Sequence, residues 1–175
     1  MSNETPNREL IEIYKIYRSY EEHENDLLNH RTGWLVTVQS VLLATFGFSF
    51  QKHLEILQKV LAVPPSAEKA DMQNALFQFK IFLAALAIIG VVTCWGSYRS
   101  IKAARDAQIA LRDKYNVEHK AKVDVTLKLP PIAGGGSKSA EDAGSNFAYF
   151  LPGFFAILWV IVLFGILLGV RVQFS

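Results

Sequence analysis

Residues 33–50 read GWLVTVQSVLLATFGFSF and carry no charge. Rising at about 1.5 Å per residue, such a helix is roughly 27 Å long, close to the hydrocarbon thickness of a bilayer. Asn29, His30 and Arg31 precede it and Gln51, Lys52 and His53 come directly after it. It reads as a first membrane span, and the chain beyond it must return across the bilayer. Residues 81–98, between Lys80 and Arg99, are a second such run, and residues 147–170, without a charge, are a third. The chain is the size of one domain at 175 residues, and its 51% apolar content is concentrated in these blocks. The predicted fold is an all-α membrane protein: three transmembrane helices with cytoplasmic helical extensions and one short β-strand in the second loop.

Residues 1–32 are polar and acidic, so this segment is expected to be a retained cytoplasmic helix and not a cleaved signal. Thr5 and Pro6 fit a helix start. Leu10, Ile13, Tyr17, Tyr20, Leu27 and Trp34 fall at steps of three and four residues, interrupted by Glu24 and Arg31, and predict a coiled-coil-like packing stripe. Its seven acids against four Lys/Arg disfavour a membrane-surface helix.

Small or short polar residues line one face of the first span: Gly33, Thr37, Ser40, Ala44 and Gly47. The second span carries a matching stripe of Ala84, Ala87, Gly90, Cys94 and Ser97. Small residues at this spacing let helix backbones approach closely in lipid. Gln39 is the most polar side chain of the first span and must face protein or a wet pore. With Thr37 and Ser40 it makes the candidate pore lining. Residues 53–63 are amphipathic and are expected at the interface; Pro64–Pro65 breaks them, and Ser66 can cap the next helix. Residues 33–98 thus hold two spans and an outer interfacial helix.

Residues 99–146 should begin as a helix ending near Asn116. Val123, Val125, Leu127 and Leu129 then alternate with Asp124, Thr126 and Lys128, a period of two that predicts the strand. Pro130–Pro131 ends it, and residues 133–146 (AGGGSKSAEDAGSN) read as a flexible linker. GGGSKS in that stretch lacks the glycine directly before the lysine that a phosphate loop needs. Residues 147–175 hold the third span, with Pro152 in its first turns and a Gly165–Gly169 pair. Thirteen of the eighteen Lys/Arg lie in residues 1–32 and 99–146, which places the N-terminus and residues 99–146 in the cytoplasm and the C-terminus outside.

His23, His30, His53 and His119 do not form a metal-ligand spacing, and Cys94 is the only cysteine. No nucleophile stands in a catalytic context, so neither an enzyme nor a cofactor is expected. Two charge features remain. Glu21, Glu22, Glu24 and Asp26 are a solvated helix face or, in a ring of subunits, a cation vestibule. Arg105, Arg112, Lys114, Lys120 and Lys122 either meet anionic lipid or bind a phosphate-bearing ligand.

Residues 24–46, ENDLLNHRTGWLVTVQSVLLATF, resemble the SLATT-type bacterial antiphage membrane effectors, and among them the channel effectors of Hailong-type systems. In these an Asn-His-Arg-like motif is followed by a Trp and a Gln-bearing first span; the matching positions are Asn29, His30, Arg31, Trp34 and Gln39. The third span departs from the two-span layout of many members. The resemblance implies a homo-oligomeric ion channel, of four copies for example, in which the motif takes part in gating. A nucleotide or single-stranded DNA product of a partner nucleotidyltransferase would hold or open it and so depolarise the membrane. The competing expectation is a non-conducting anchor that recruits a soluble enzyme through its cytoplasmic helices.

Overall fold

The computed structural model describes residues 4–65, 67–123, 129, 132 and 138–172. Three long helices carry the chain: α1 (Glu4–Ala62), α2 (Ala67–Tyr115) and α3 (Lys138–Val172). All three are long and apolar enough to cross a membrane. The chain divides into two compact units: Met1–Gly33 with Tyr98–Phe150, and Trp34–Ser97 with Leu151–Ser175.

α1 runs 59 residues without a break, so residues 53–62 are its last turns. No proline interrupts it between Pro6 and Pro64, and its glycines are tolerated one at a time. The Val63 amide donates to the Lys59 carbonyl at 3.1 Å and closes the last turn, after which Pro64 and Pro65 cannot continue the helix. Lys69 Nζ donates to the Val63 carbonyl at 3.1 Å, tying the start of α2 to this corner.

In the first unit, α1 and α2 lie antiparallel. Steps of four up one helix meet steps of three and then four down the other: Tyr17 packs against Tyr115, Glu21 pairs with Arg112, and Asn25 accepts from Gln108. The buried and half-buried positions of α1 here include Leu10, Tyr14, Tyr17, Glu21, Glu24, Leu28 and Arg31, at alternating steps of four and three. Of the predicted stripe, Leu10, Ile13, Tyr17 and Leu27 are half-buried as expected, and the correction falls on Tyr20 and Trp34, which are exposed. Tyr20 is 58% exposed where Glu21 is 2%. An apolar count favours Tyr20, but Glu21 carries a partner that makes its burial tolerable.

α2 continues past Tyr115 through a π-helical turn, Asn116–Lys120, and stays helical to Val123. The α-helix itself thus ends near Asn116 as expected, and the helical turns beyond it are the addition. The wider turn sets His119 against Tyr17 and Tyr115, with ring centroids 5.5 and 6.2 Å away. Among the described residues there is no strand. Residues 124–128, the body of the predicted one, lie outside them; Val123 is helical and Leu129 belongs to no element. Two of the residues that suggest alternation have another use: Val123 and Leu129 pack with Tyr14, Tyr115 and Ile132 in one cluster.

α3 starts at Lys138, inside the stretch expected to be a linker, of which residues 133–137 lie outside the described residues. Its opening, KSAEDAGSN, is helical although polar in composition. Pro152 is thus inside the helix and not in its first turns. It is buried, and helices packed on neighbours in an apolar bundle tolerate such a break in the hydrogen-bond ladder.

In the second unit the three helices pack around Trp159, which is fully buried with Leu35, Ala87 and Cys94. The two small-residue stripes meet different fates. On α2, Ala87, Gly90 and Cys94 are buried. On α1, Gly33, Thr37, Ser40, Ala44 and Gly47 are all exposed.

Candidate functional site

The centre of the second unit is a polar cluster inside an apolar bundle. Gln39 lies in the same four-three spacing as Leu35, Leu42 and Phe46, so the pitch of α1 turns it inward. It is fully buried. Trp159 Nε1 donates to Gln39 Oε1 at 2.6 Å. Gln39 Nε2 donates to Thr93 Oγ1 at 2.9 Å and reaches Cys94 Sγ at 3.3 Å and the Gly90 carbonyl at 3.5 Å. Thr93 Oγ1 in turn donates to the Gly90 carbonyl at 2.9 Å. The chain of donors runs from α3 through α1 to α2 and ends on a backbone carbonyl, whose second lone pair is available for it.

Gly90 makes this possible. A Cβ built there would stand 2.5 Å from Trp159 Cδ2 and Nε1, so the indole occupies the space that any side chain would need. The edge of Phe46 closes the other side, 5.8 Å between ring centroids and nearly perpendicular. In apolar surroundings each of these hydrogen bonds contributes on the order of 0.6–1.7 kcal/mol. Their geometric consequence is larger, because they fix the axial level of three helices at one place.

This corrects the reading of Gln39 as pore lining: its amide is spent inside the chain. Thr37 and Ser40 are exposed, on a different face. Ser40 Oγ donates back to the Val36 carbonyl at 2.8 Å, which satisfies the hydroxyl while leaving its oxygen accessible.

The charge clusters of the first unit are also rearranged. Glu21, expected in a vestibule, and Arg112, expected in a ligand site, hold each other: Arg112 Nε donates to Glu21 Oε1 at 2.9 Å and Nη2 to the same oxygen. The reason is helix register, which stacks residues 91 positions apart in sequence. Glu22 pairs with Arg18 at 3.1 Å, and Tyr14 together with Glu22 holds the Arg18 guanidinium above its ordinary pKa. Glu24 is half-buried and Asp26 exposed. The Arg105 guanidinium lies 5.2 Å from the centre of the Tyr149 ring, in cation–π range. Lys114, Lys120 and Lys122 are exposed.

Of the motif at residues 29–34, Arg31 is engaged: its Nη1 donates to the Ser100 carbonyl at 2.6 Å, a cross-link between α1 and α2. Asn29, His30 and Trp34 are exposed, Trp34 by 69%. Among the described residues, no three His, Cys, Asp or Glu side chains gather to hold a metal ion.

Trp159, Thr93 and Gly90 complete the cluster around Gln39, and only their assembly assigns them a role. A lone tryptophan at mid-helix in an aliphatic run, opposite a helix with small residues, is the signal that could have found them. Comparison with protein-family models, with curated proteins and with solved structures finds no match to this chain.

Proposed function

We propose that this chain is one subunit of an oligomeric ion-conducting membrane effector of bacterial antiphage defence. Its N-terminal helix faces the cytoplasm and its C-terminus the periplasm of the inner membrane. A nucleotide or oligonucleotide made by a partner nucleotidyltransferase acts on the cytoplasmic side, and the open state depolarises the membrane. The carrying observation is the exposed α1 face of Gly33, Thr37, Ser40, Ala44 and Gly47. Around it the helices expose large apolar side chains, among them Val41, Phe48, Ile88 and Val92, as a lipid-facing surface would. A small, partly hydroxylated strip amid such a surface suits close approach by another copy or contact with water.

The pore reading moves accordingly from Gln39 to Thr37 and Ser40. Gln39 becomes the residue that holds the subunit together. The ligand reading rests on the exposed Lys114, Lys120 and Lys122, since Arg112 is committed to Glu21 and Arg105 lies over Tyr149. The experiment is conductance of the purified full chain in planar bilayers, with and without short single-stranded DNA or cyclic oligonucleotides. Ion currents that the ligand alters, and that Lys114→Glu, Lys120→Glu and Lys122→Glu together make unresponsive, support the reading. A chain that passes no ions under any of these ligands is the non-conducting anchor instead.

A further inference from the structure

The second unit contains a cavity of about 450 Å³ that the polar cluster does not use. Phe46, Phe50, Leu57, Leu83, Val162 and Ile166 give it apolar walls drawn from all three helices. Two polar side chains also line it, His53 and Lys80. They stand where the uncharged stretches of α1 and α2 stop: His53 shortly after Phe50 and Lys80 directly before Ile81. The cavity therefore has its polar groups at the level expected for the hydrocarbon boundary, and its walls reach inward from there.

His53 is the unexplained element. It is 8% exposed, and its Nδ1 is buried with no hydrogen-bond partner among the described residues. A buried imidazole nitrogen without a partner costs stability unless something fills that role. Lys80 adds a positive charge to the same lining. A slot with a cation and an idle nitrogen at its polar edge and only carbon along its depth complements one kind of molecule.

We propose that this cavity binds an anionic lipid, one acyl chain lying along Phe46, Leu83, Val162 and Ile166 and its phosphate or carboxylate oxygens meeting His53 Nδ1 and Lys80. Each buried methylene contributes about 0.8 kcal/mol, and a charge-assisted hydrogen bond about 1.5–3 kcal/mol, so chain and headgroup both matter. A phospholipid phosphate and a free fatty-acid carboxylate offer the same chemistry to this edge. The inference stands on the cavity alone and does not depend on whether the protein conducts.

The test is native mass spectrometry of the full chain after exposure to palmitoyl-oleoyl phosphatidylglycerol, palmitate, or palmitoyl-oleoyl phosphatidylcholine. The wild type should retain one phosphatidylglycerol or one palmitate about tenfold better than the choline lipid. Which of the two is retained identifies the source. Gly165 lines the cavity and an added Cβ there meets nothing within 4 Å, so Gly165→Phe is the variant chosen to occupy the slot. It should lower retention about tenfold or more, as should Lys80→Gln, while Gly153→Phe, equally open and outside the cavity, should leave it unchanged. Equal retention of the choline lipid, no retention of either anionic probe, or a Gly165→Phe chain that binds like the wild type would each overturn the proposal.

Discussion

Replacing Gln39 by leucine should destabilise the chain through what it leaves behind more than through what it removes. The substitution conserves an apolar-compatible shape at a fully buried position, so little packing is lost. Trp159 Nε1, however, loses the acceptor it holds at 2.6 Å, and Thr93 Oγ1 loses the donor at 2.9 Å. An orphaned buried donor costs about 1–3 kcal/mol, and measured couplings inside apolar membrane bundles average about 0.6 kcal/mol with a maximum near 1.7. Gln39→Leu should therefore cost about 1–3 kcal/mol. Trp159→Phe should cost at least as much, because it strands Gln39 Oε1 and also opens space beside Gly90. In the double variant neither group is stranded, so the loss should fall short of the sum by about 1–2 kcal/mol. Unfolding of the four proteins in detergent, monitored by circular dichroism, measures this cycle. Strict additivity would refute the claim that the two side chains act as one unit.

The packing sets two further outcomes. Gly90→Ala should cost about 1–3 kcal/mol by overpacking against the indole, whereas Gly96→Ala on the same helix, where an added Cβ meets nothing, should be neutral or stabilising; thermal unfolding of the pair reads the contrast. Arg112→Met should destabilise the first unit by about 3 kcal/mol, since it strands a carboxylate that is 2% exposed and whose Oε2 already has no partner among the described residues. Adding Glu21→Leu should restore most of that loss, as seen by protection of residues 10–30 in hydrogen exchange. Reversing the charge of Arg112 would accordingly report on folding and not on ligand binding.

The parts of this fold that depend on local pattern are legible in the residues. Three uncharged runs announce three apolar helices, and Pro64–Pro65 marks the corner between the first two. What escapes the sequence is anything that depends on which face is covered. The stripes at Gly33–Gly47 and Ala84–Ser97 both step by three and four residues, and periodicity cannot say that the second is filled by Trp159 while the first stays exposed. Glu21 and Arg112 fall into two different candidate sites because like charges cluster along the sequence, whereas their partnership arises across 91 positions. Gln39 and Trp159 are 120 apart, so the need for a partner can be read but not its identity. At residues 138–146 a polar composition suggests a linker, although the chain there is already helical and continues into the apolar stretch.

Cysteine accessibility during conduction tests which of the three candidate pore-lining residues, Thr37, Ser40 and Gln39, faces the proposed ion path. Thr37→Cys, Ser40→Cys and Gln39→Cys chains would be placed in planar bilayers and exposed to a cationic thiol reagent while current is recorded; the native Cys94 is buried. The reagent should reduce the current through the Thr37→Cys and Ser40→Cys channels and leave that through Gln39→Cys unchanged. Block at Gln39→Cys with none at Thr37→Cys and Ser40→Cys would contradict the assignment of the pore to the exposed face of α1.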